Sequence, residues 1–448
     1  MTNNRGSFKS NFGFMMAVAG SAVGLGNIWR FPYMMGENGG AAFLILYLIM
    51  ILLVGLPLIL SEFIIGRSTQ KGCVSAFKAL KPNTKWHYIG YISVIVGFAI
   101  LGFYSVIAGW TLNFVVDAVS NGFTMVSSGE VKESFEVFVN SGWQPIMYAV
   151  IFVAMVVFIV LKGIEKGIEK YNKILMPVLF VLLIVMCINS VTMDGFAEGM
   201  SFMFTPDFSE ITTQTILDAL GQVFFSLSIG MGVMITYSSY STREENMFTS
   251  KLKITAIDTM IALISGVAIF PAVFTYGISP TEGPSLVFLA LPTVFAQMSF
   301  GAFFGSLFFI LLLIAAITSA VSIFEMLVTF YVEKFNTSRA RALMMITSGV
   351  LILAVLSALS QIEGSSIMIG QNNFFDFLDL LSSNYLLTSG GLLIAIFTGW
   401  FFGKEKLQRI FTSKGKYANR MFAPYYFAIR YIAPIAVAAV LLSRIGII

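Results

Sequence analysis

Residues 20–32 read GSAVGLGNIWRFP, and residues 226–233 read SLSIGMGV. Each stretch interrupts a long apolar run with a Gly-x-Gly: Gly24 and Gly26 in the first, Gly230 and Gly232 in the second. A glycine costs a helix interior about 1 kcal/mol relative to alanine. Close packing of membrane helices accounts for one such pair. Two pairs, five apolar runs apart, ask for more. Five crossings invert direction, so matching segments of two halves would enter from opposite sides. Gly-interrupted spans in matching positions point to an inverted repeat with a binding site at mid-membrane. Unwound backbone survives at that depth only where it is buried or lines a cavity. It then offers carbonyls to a cation, and the half-helix N-termini offer N–H groups to a carboxylate.

The rest of the chain agrees with a membrane setting. Of 448 residues, 57% are hydrophobic and 11% charged, with mean hydropathy +0.86. A soluble protein of that length needs more charge to cover its surface. Eleven spans are predicted, at roughly 11–35, 41–66, 88–119, 143–162, 170–192, 214–240, 252–278, 302–332, 342–360, 376–402 and 424–446. The fold class is therefore all-α, with helices one and six broken. The first repeat covers 1–193, the second 214–402, and residues 403–448 hold a loop and the eleventh helix. The polar start, MTNNRGSFKSNF, runs into a retained first helix with no cleavage signal.

Loop charges orient the spans. Arg67, Lys71, Lys78, Lys81 and Lys85 follow span two, and Arg243, Lys251 and Lys253 follow span six. Lys334, Arg339 and Arg341 follow span eight, and Lys404, Lys406, Arg409, Lys414, Lys416 and Arg420 follow span ten. The alternate loops carry Glu130, Glu133 and Glu136, then Asp194, Glu198, Asp207 and Glu210. The positive-inside rule places the N-terminus in the cytoplasm and the C-terminus outside, in a multi-pass inner-membrane protein. Cys73 and Cys187 are too few for a disulfide framework, and the one histidine, His87, lies in a loop.

Asn27, Glu62, Asp258, Thr318, Ser319 and Glu325 fall inside apolar spans. An ionised side chain at the bilayer centre costs at least about 2.5–3.5 kcal/mol and needs a partner or a wet site. Glu62 and Glu325 could instead satisfy unwound backbone. Thr318 and Ser319 could bond their own helix carbonyls.

These motifs resemble the neurotransmitter:sodium symporter family, in its short bacterial amino-acid branch. The resemblance is carried by SAVGLGNIWRFPY from Ser21, ENGGAAF from Glu37 and GQVFFSLSIGMGVMITYSSY from Gly221. It continues in GPSLVFLALP from Gly283, AAITSAVS from Ala315, and Tyr104 six residues before Trp110. It implies a five-plus-five inverted repeat and a sodium-coupled symporter importing an amino acid by alternating access. The family often has a twelfth span, and contacts of that span are not carried over.

The resemblance also implies two sodium ions. The first would use Ala22, Asn27, Ser226, Asp258 and the substrate carboxylate. The second would use Gly20, Val23, Ala315, Thr318 and Ser319. The substrate carboxylate would face Gly24, Leu25, Gly26 and the Tyr104 hydroxyl. Its ammonium would meet carbonyls of Ala22, Phe225, Ser226 and Ser228. Ser319 would also touch the substrate. Ile100, Tyr104, Phe225, Met231 and Ile323 would surround the side chain, and an apolar pocket of this kind favours a hydrophobic or aromatic L-amino acid. Arg30 and Asp379 would form an outer gate near Gln222 and Phe225, with Asp376 as a rival. Arg5 and Glu333, steadied by Tyr240, would form an inner gate. Gly167 and Pro177 mark either a point of unwinding in span five or an ordinary kink.

Chloride-dependent members hold an anion near positions that correspond to Tyr47, Gln222, Ser226, Asp258 and Ala262. Asp258 stands where those members have asparagine, so a fixed carboxylate could replace chloride. Once sodium leaves, it could carry a proton back. The expected partners are thus an amino acid, sodium ions and the bilayer, with no nucleic acid and no obligate protein partner. An enzyme is not expected: no histidine lies in a span and no cluster resembles a metal site. A channel and an amino-acid-sensing receptor on the same fold remain as alternatives.

Overall fold

The computed structural model describes residues 6–120, 128–241, 246–281, 286–417 and 420–445. Arg5, Arg243 and residues 283–285 therefore lie outside the described residues. Among the described residues, nine helices are long and apolar enough to span a membrane: Ala41–Thr69, Lys85–Ser120, Trp143–Leu161, Ile164–Val191, Met247–Thr275, Gly301–Phe335, Arg339–Ser360, Phe374–Phe401 and Phe422–Arg444. The first span adds a tenth in two pieces, Asn11–Ala22 and Gly26–Glu37, bent by 49°. The sixth is the pair Thr213–Ser226 and Val233–Ser239, parted by six non-helical residues. That makes the eleven predicted.

Both breaks fall where the glycines stand. In the first, Val23 turns to extended backbone. In the sixth, Ser228, Gly230 and Gly232 all have positive φ, of 53°, 87° and 73°. Gly230 is needed twice over. Its left-handed backbone disfavours a side chain, and a Cβ there would collide with the Leu387 carbonyl of span ten. The freed Gly230 N–H donates to Glu62 Oε1 at 2.7 Å, from the wholly buried Glu62 of span two. Satisfying unwound backbone is thus what Glu62 does. Glu325 does something else: Arg339 pairs with it, and Tyr240 donates to it at 2.7 Å.

Spans three and eight pack against one another at the centre, and broken span one leans on spans five and eight. Some helices lie outside the predicted spans: Cys73–Leu80, Ser128–Asn140, Phe196–Phe204 and Lys404–Phe411. Each is short, and several bury one apolar edge. Phe202, for example, meets Phe270 and Phe274 at 5.0 and 5.6 Å. Span five starts earlier than expected because a π-helical turn, Ile164–Glu169, precedes its α-helical part, Lys170–Val191.

Candidate functional site

The two breaks face each other, and a buried polar knot joins them. Asn27 Nδ2 donates to Asp258 Oδ1 at 2.8 Å, to the Asp258 carbonyl at 3.0 Å and to Ser226 Oγ at 3.2 Å. Ser226 Oγ donates to Asp258 Oδ2 at 2.8 Å and accepts from Tyr47 OH at 3.2 Å. Asn27, Ser226 and Asp258 are fully buried. Side chains from spans one, six and seven thus meet around a single carboxylate that, among the described residues, bonds no cationic side chain; Asn27 meets it through Nδ2, while its Oδ1 accepts from the Gly24 N–H at 3.3 Å. With the Asn27 amide turned to present its oxygen, the set would suit a hard cation. Ser228 Oγ donates to the Ser21 carbonyl at 3.0 Å, and Gln222 Nε2 to the Gly26 carbonyl at 2.8 Å, lacing the two breaks together.

Next to this knot, Tyr104 OH is buried close to the Leu25 backbone and the Ser319 hydroxyl, with no well-formed hydrogen bond among the described residues. It lies beside Gly24: a Cβ on that glycine would be 3.5 Å from the hydroxyl and would run into Ser319 Oγ. A Cβ on Gly26 would be 2.9 Å from the Phe225 ring. The glycines therefore let Ser319 and Phe225 pack directly against the backbone of the first break. Ile100 and Tyr104 share one face of span three, four residues apart, and Ser319 and Ile323 share one of span eight. Ile100, Met231 and Ile323 are all buried.

The second expected cation set also converges. Thr318 Oγ1 lies 3.0 Å from the Ala315 carbonyl and 3.5 Å from the Val23 carbonyl. Ser319 Oγ lies 3.4 Å from the carbonyls of Gly20 and Ser21. Thr318 also bonds the Ile314 carbonyl of its own helix at 3.2 Å, so the local bond expected of a lone hydroxyl is present as well.

The gates differ in detail from expectation. Arg30 donates to Ser383 Oγ at 3.4 Å, and Ser383 donates to Asp379 Oδ1 at 2.7 Å, so the two charges are linked through a hydroxyl. Asp376 is occupied by Asn373 Nδ2 at 2.7 Å, which leaves Asp379 as the acid on this path. The Arg30 guanidinium covers Phe225, 4.6 Å from the ring centre. On the opposite side, Glu333 accepts from the Gly72 N–H at 3.0 Å, and Tyr240 reaches Glu325 and Thr329. The Arg5 half of the inner gate lies outside the described residues. A cavity of about 570 Å³ opens at this side, lined by Tyr240, Thr329, Glu333 and Arg339 among others.

Sequence reasoning missed Glu169. Its carboxylate accepts from the N–H of Lys9 at 2.7 Å, from Ser10 Oγ at 2.8 Å and from Lys173 at 2.6 Å. It binds the start of span one to span five. The GIEK repeated at 163–170 was the only local signal. Just outside, Lys9 pairs with Glu165 at 2.5 Å, and that bond holds the Lys9 ammonium above its ordinary pKa.

Known proteins share this sequence pattern and this fold. The profile of the sodium:neurotransmitter symporter family matches residues 5–131 and 126–447. An uncharacterised sodium-dependent transporter of Bacillus subtilis is 38% identical, over 98% of this chain and 97% of its own. One of Haemophilus influenzae is 36% identical over 99% of each chain. The crystal structure of MhsT in complex with L-phenylalanine superposes with TM-score 0.91 at 40% identity, covering 98% of this chain and 100% of that one.

Proposed function

This chain belongs to the sodium:neurotransmitter symporter family, and we propose that it imports a hydrophobic or aromatic L-amino acid with two sodium ions, independently of chloride. It is a membrane transporter and not an enzyme. The observation that carries the finer reading is the knot of Asn27, Ser226 and Asp258 beside the unpartnered Tyr104 hydroxyl. A carboxylate held by Tyr104 and the N–H groups of Gly24, Leu25 and Gly26 lies next to the first cation set. Ion and substrate would then share one ligand. Each stabilises the other, and that coupling is reciprocal.

The side-chain pocket supports the substrate class. Ile100, Met231, Ile323 and Phe225 offer no partner to a charged side chain, and methionine is flexible enough to make room for a ring. The bound L-phenylalanine of the MhsT structure is consistent with that choice. Alternating access follows from two repeats, 1–193 and 214–402, rocking about the fixed site. Arg30, Ser383 and Asp379 close one side, and Glu333 with Tyr240 the other. The basic loops put the N-terminus in the cytoplasm and the C-terminus outside, in the inner membrane. Asp258 supplies the negative charge that chloride supplies elsewhere and takes up a proton after sodium has left.

The test is uptake into proteoliposomes across the common amino acids, with sodium, lithium or potassium outside and chloride replaced by gluconate. Concentrative, sodium-driven uptake of phenylalanine, tyrosine, tryptophan or leucine is expected, unchanged in gluconate. High-affinity uptake confined to glycine or lysine would end the substrate assignment. Binding without concentrative uptake would favour a receptor, and flux without saturation a channel.

A further inference from the structure

Asn172 lies in span five, 2% exposed. Its Nδ2 donates to the Ile168 carbonyl at 2.9 Å. A carbonyl only accepts, so this bond fixes which end of the amide is which. Oδ1 then points the other way, and it is buried with no hydrogen-bond partner among the described residues. It is aimed at span one. A Cβ placed on Gly20 would collide with Asn172 Oδ1 and would stand 3.2 Å from the Thr318 Cβ. Gly20, Thr318 and the orphan oxygen thus converge on one spot. Buried polar atoms normally find partners, and one left unpaired costs stability. A leucine or alanine would fill the space without that cost.

We propose that Asn172 Oδ1 is a transit ligand for sodium, receiving the ion from Gly20 and Thr318 as it leaves the second site along the seam between spans one and five. The proposal rests on the second-site reading given above. Three further observations fit it. Glu165, Glu169 and Asn172 are spaced four and three residues apart, so they share one face of the helix and form a line of oxygens. That face meets span one throughout: Glu165 at Lys9, Glu169 at Ser10 and Gly13, Asn172 at Gly20. The backbone here is also weakly held. A π-helical turn ends at Glu169, and Pro177 gives no N–H to the Lys173 carbonyl. A small shift can carry Oδ1 toward the ion without breaking a full helix. With no net charge, an amide oxygen binds a departing cation without trapping it.

The experiment measures sodium binding and release in the detergent-purified protein. Sodium affinity is read from sodium-dependent thermal shift, and release from intrinsic tryptophan fluorescence after rapid dilution of sodium. For Asn172→Ala we expect equilibrium affinity within threefold of the parent and release slowed roughly tenfold, the effect of about 1.4 kcal/mol on one step. For the near-isosteric Asn172→Asp we expect sodium held at least tenfold tighter and released more slowly still. Parent-like release in both variants would overturn the proposal. So would a lowered melting temperature in Asn172→Ala with no change in release, because that marks a purely structural amide. Thr318→Ala with Ser319→Ala keeps the two readings apart. If that double variant keeps the parent's sodium dependence, the second site itself is misplaced. If it loses sodium while the Asn172 variants release sodium normally, only the transit ligand fails.

Discussion

Removing two hydroxyls from span eight, by Thr318→Ala and Ser319→Ala together, should separate sodium binding from folding. The folding cost is small. Thr318 Oγ1 bonds helix carbonyls at 3.0 and 3.2 Å, and Ser319 Oγ reaches two carbonyls only at 3.4 Å. A net hydrogen bond contributes about 0.5–1.5 kcal/mol, so about 1–3 kcal/mol is lost in all. The ion loses more. Bonds to a charged partner contribute about 1.5–3 kcal/mol each. Two of five oxygens therefore represent about 3–6 kcal/mol, or roughly two to four decades of affinity at 1.4 kcal/mol per tenfold. Thermal unfolding is followed in choline chloride and then with sodium added. A ligand at a hundred times its Kd stabilises the parent by about 2.7 kcal/mol. The variant should melt within several degrees of the parent in choline and lose most of the sodium-dependent rise. The cation set at Asp258 leaves a smaller residual shift. A sodium titration that superposes on the parent's would refute the assignment of these oxygens. A variant that fails to fold in choline would refute the energetic reasoning.

Asp258→Asn should abolish sodium-driven uptake in gluconate or make it depend on chloride, measured beside a parent that ignores the exchange; a chloride-requiring parent would reject the fixed-charge reading. Glu62→Ala leaves the buried Gly230 N–H without its 2.7 Å acceptor, a cost of about 1–3 kcal/mol before the lost packing is counted. Its melting temperature should fall and uptake should be lost, since the sixth-span break would carry the proposed substrate ligands. Arg339→Gln strands the fully buried Glu325 and should cost about 3–5 kcal/mol, most of it recovered when Glu325→Gln is added. Chemical denaturation of the two variants checks that recovery.

The sequence shows most plainly the residues whose own type is costly where they stand. Gly24, Gly26, Gly230 and Gly232 weaken any helix that holds them, so both breaks were visible before any tertiary contact was known. Asn27, Glu62 and Asp258 are polar in apolar runs, so the need for partners was visible too, though not which partners. Residues whose role depends on a distant neighbour stayed hidden. Glu169 looks like one more loop charge until Ser10, 159 residues away, is brought onto it. In the sequence Arg339 reads as a topogenic cation, yet it turns back to clamp the Val160 carbonyl at 2.8 Å and to pair with Glu325. Ser383 had no signal at all, although it joins Arg30 to Asp379. The short surface helices were missed because eight to thirteen residues give too little periodicity to stand out against the apolar spans. One physical rule covers both groups. A cost set by the bilayer or by backbone geometry is written into the residue type, whereas a cost relieved by a partner is written only into the fold. The unpartnered oxygens of Tyr104 and Asn172 belong to a third kind. Their cost persists in the folded chain, and under the two proposals above a bound ligand relieves it.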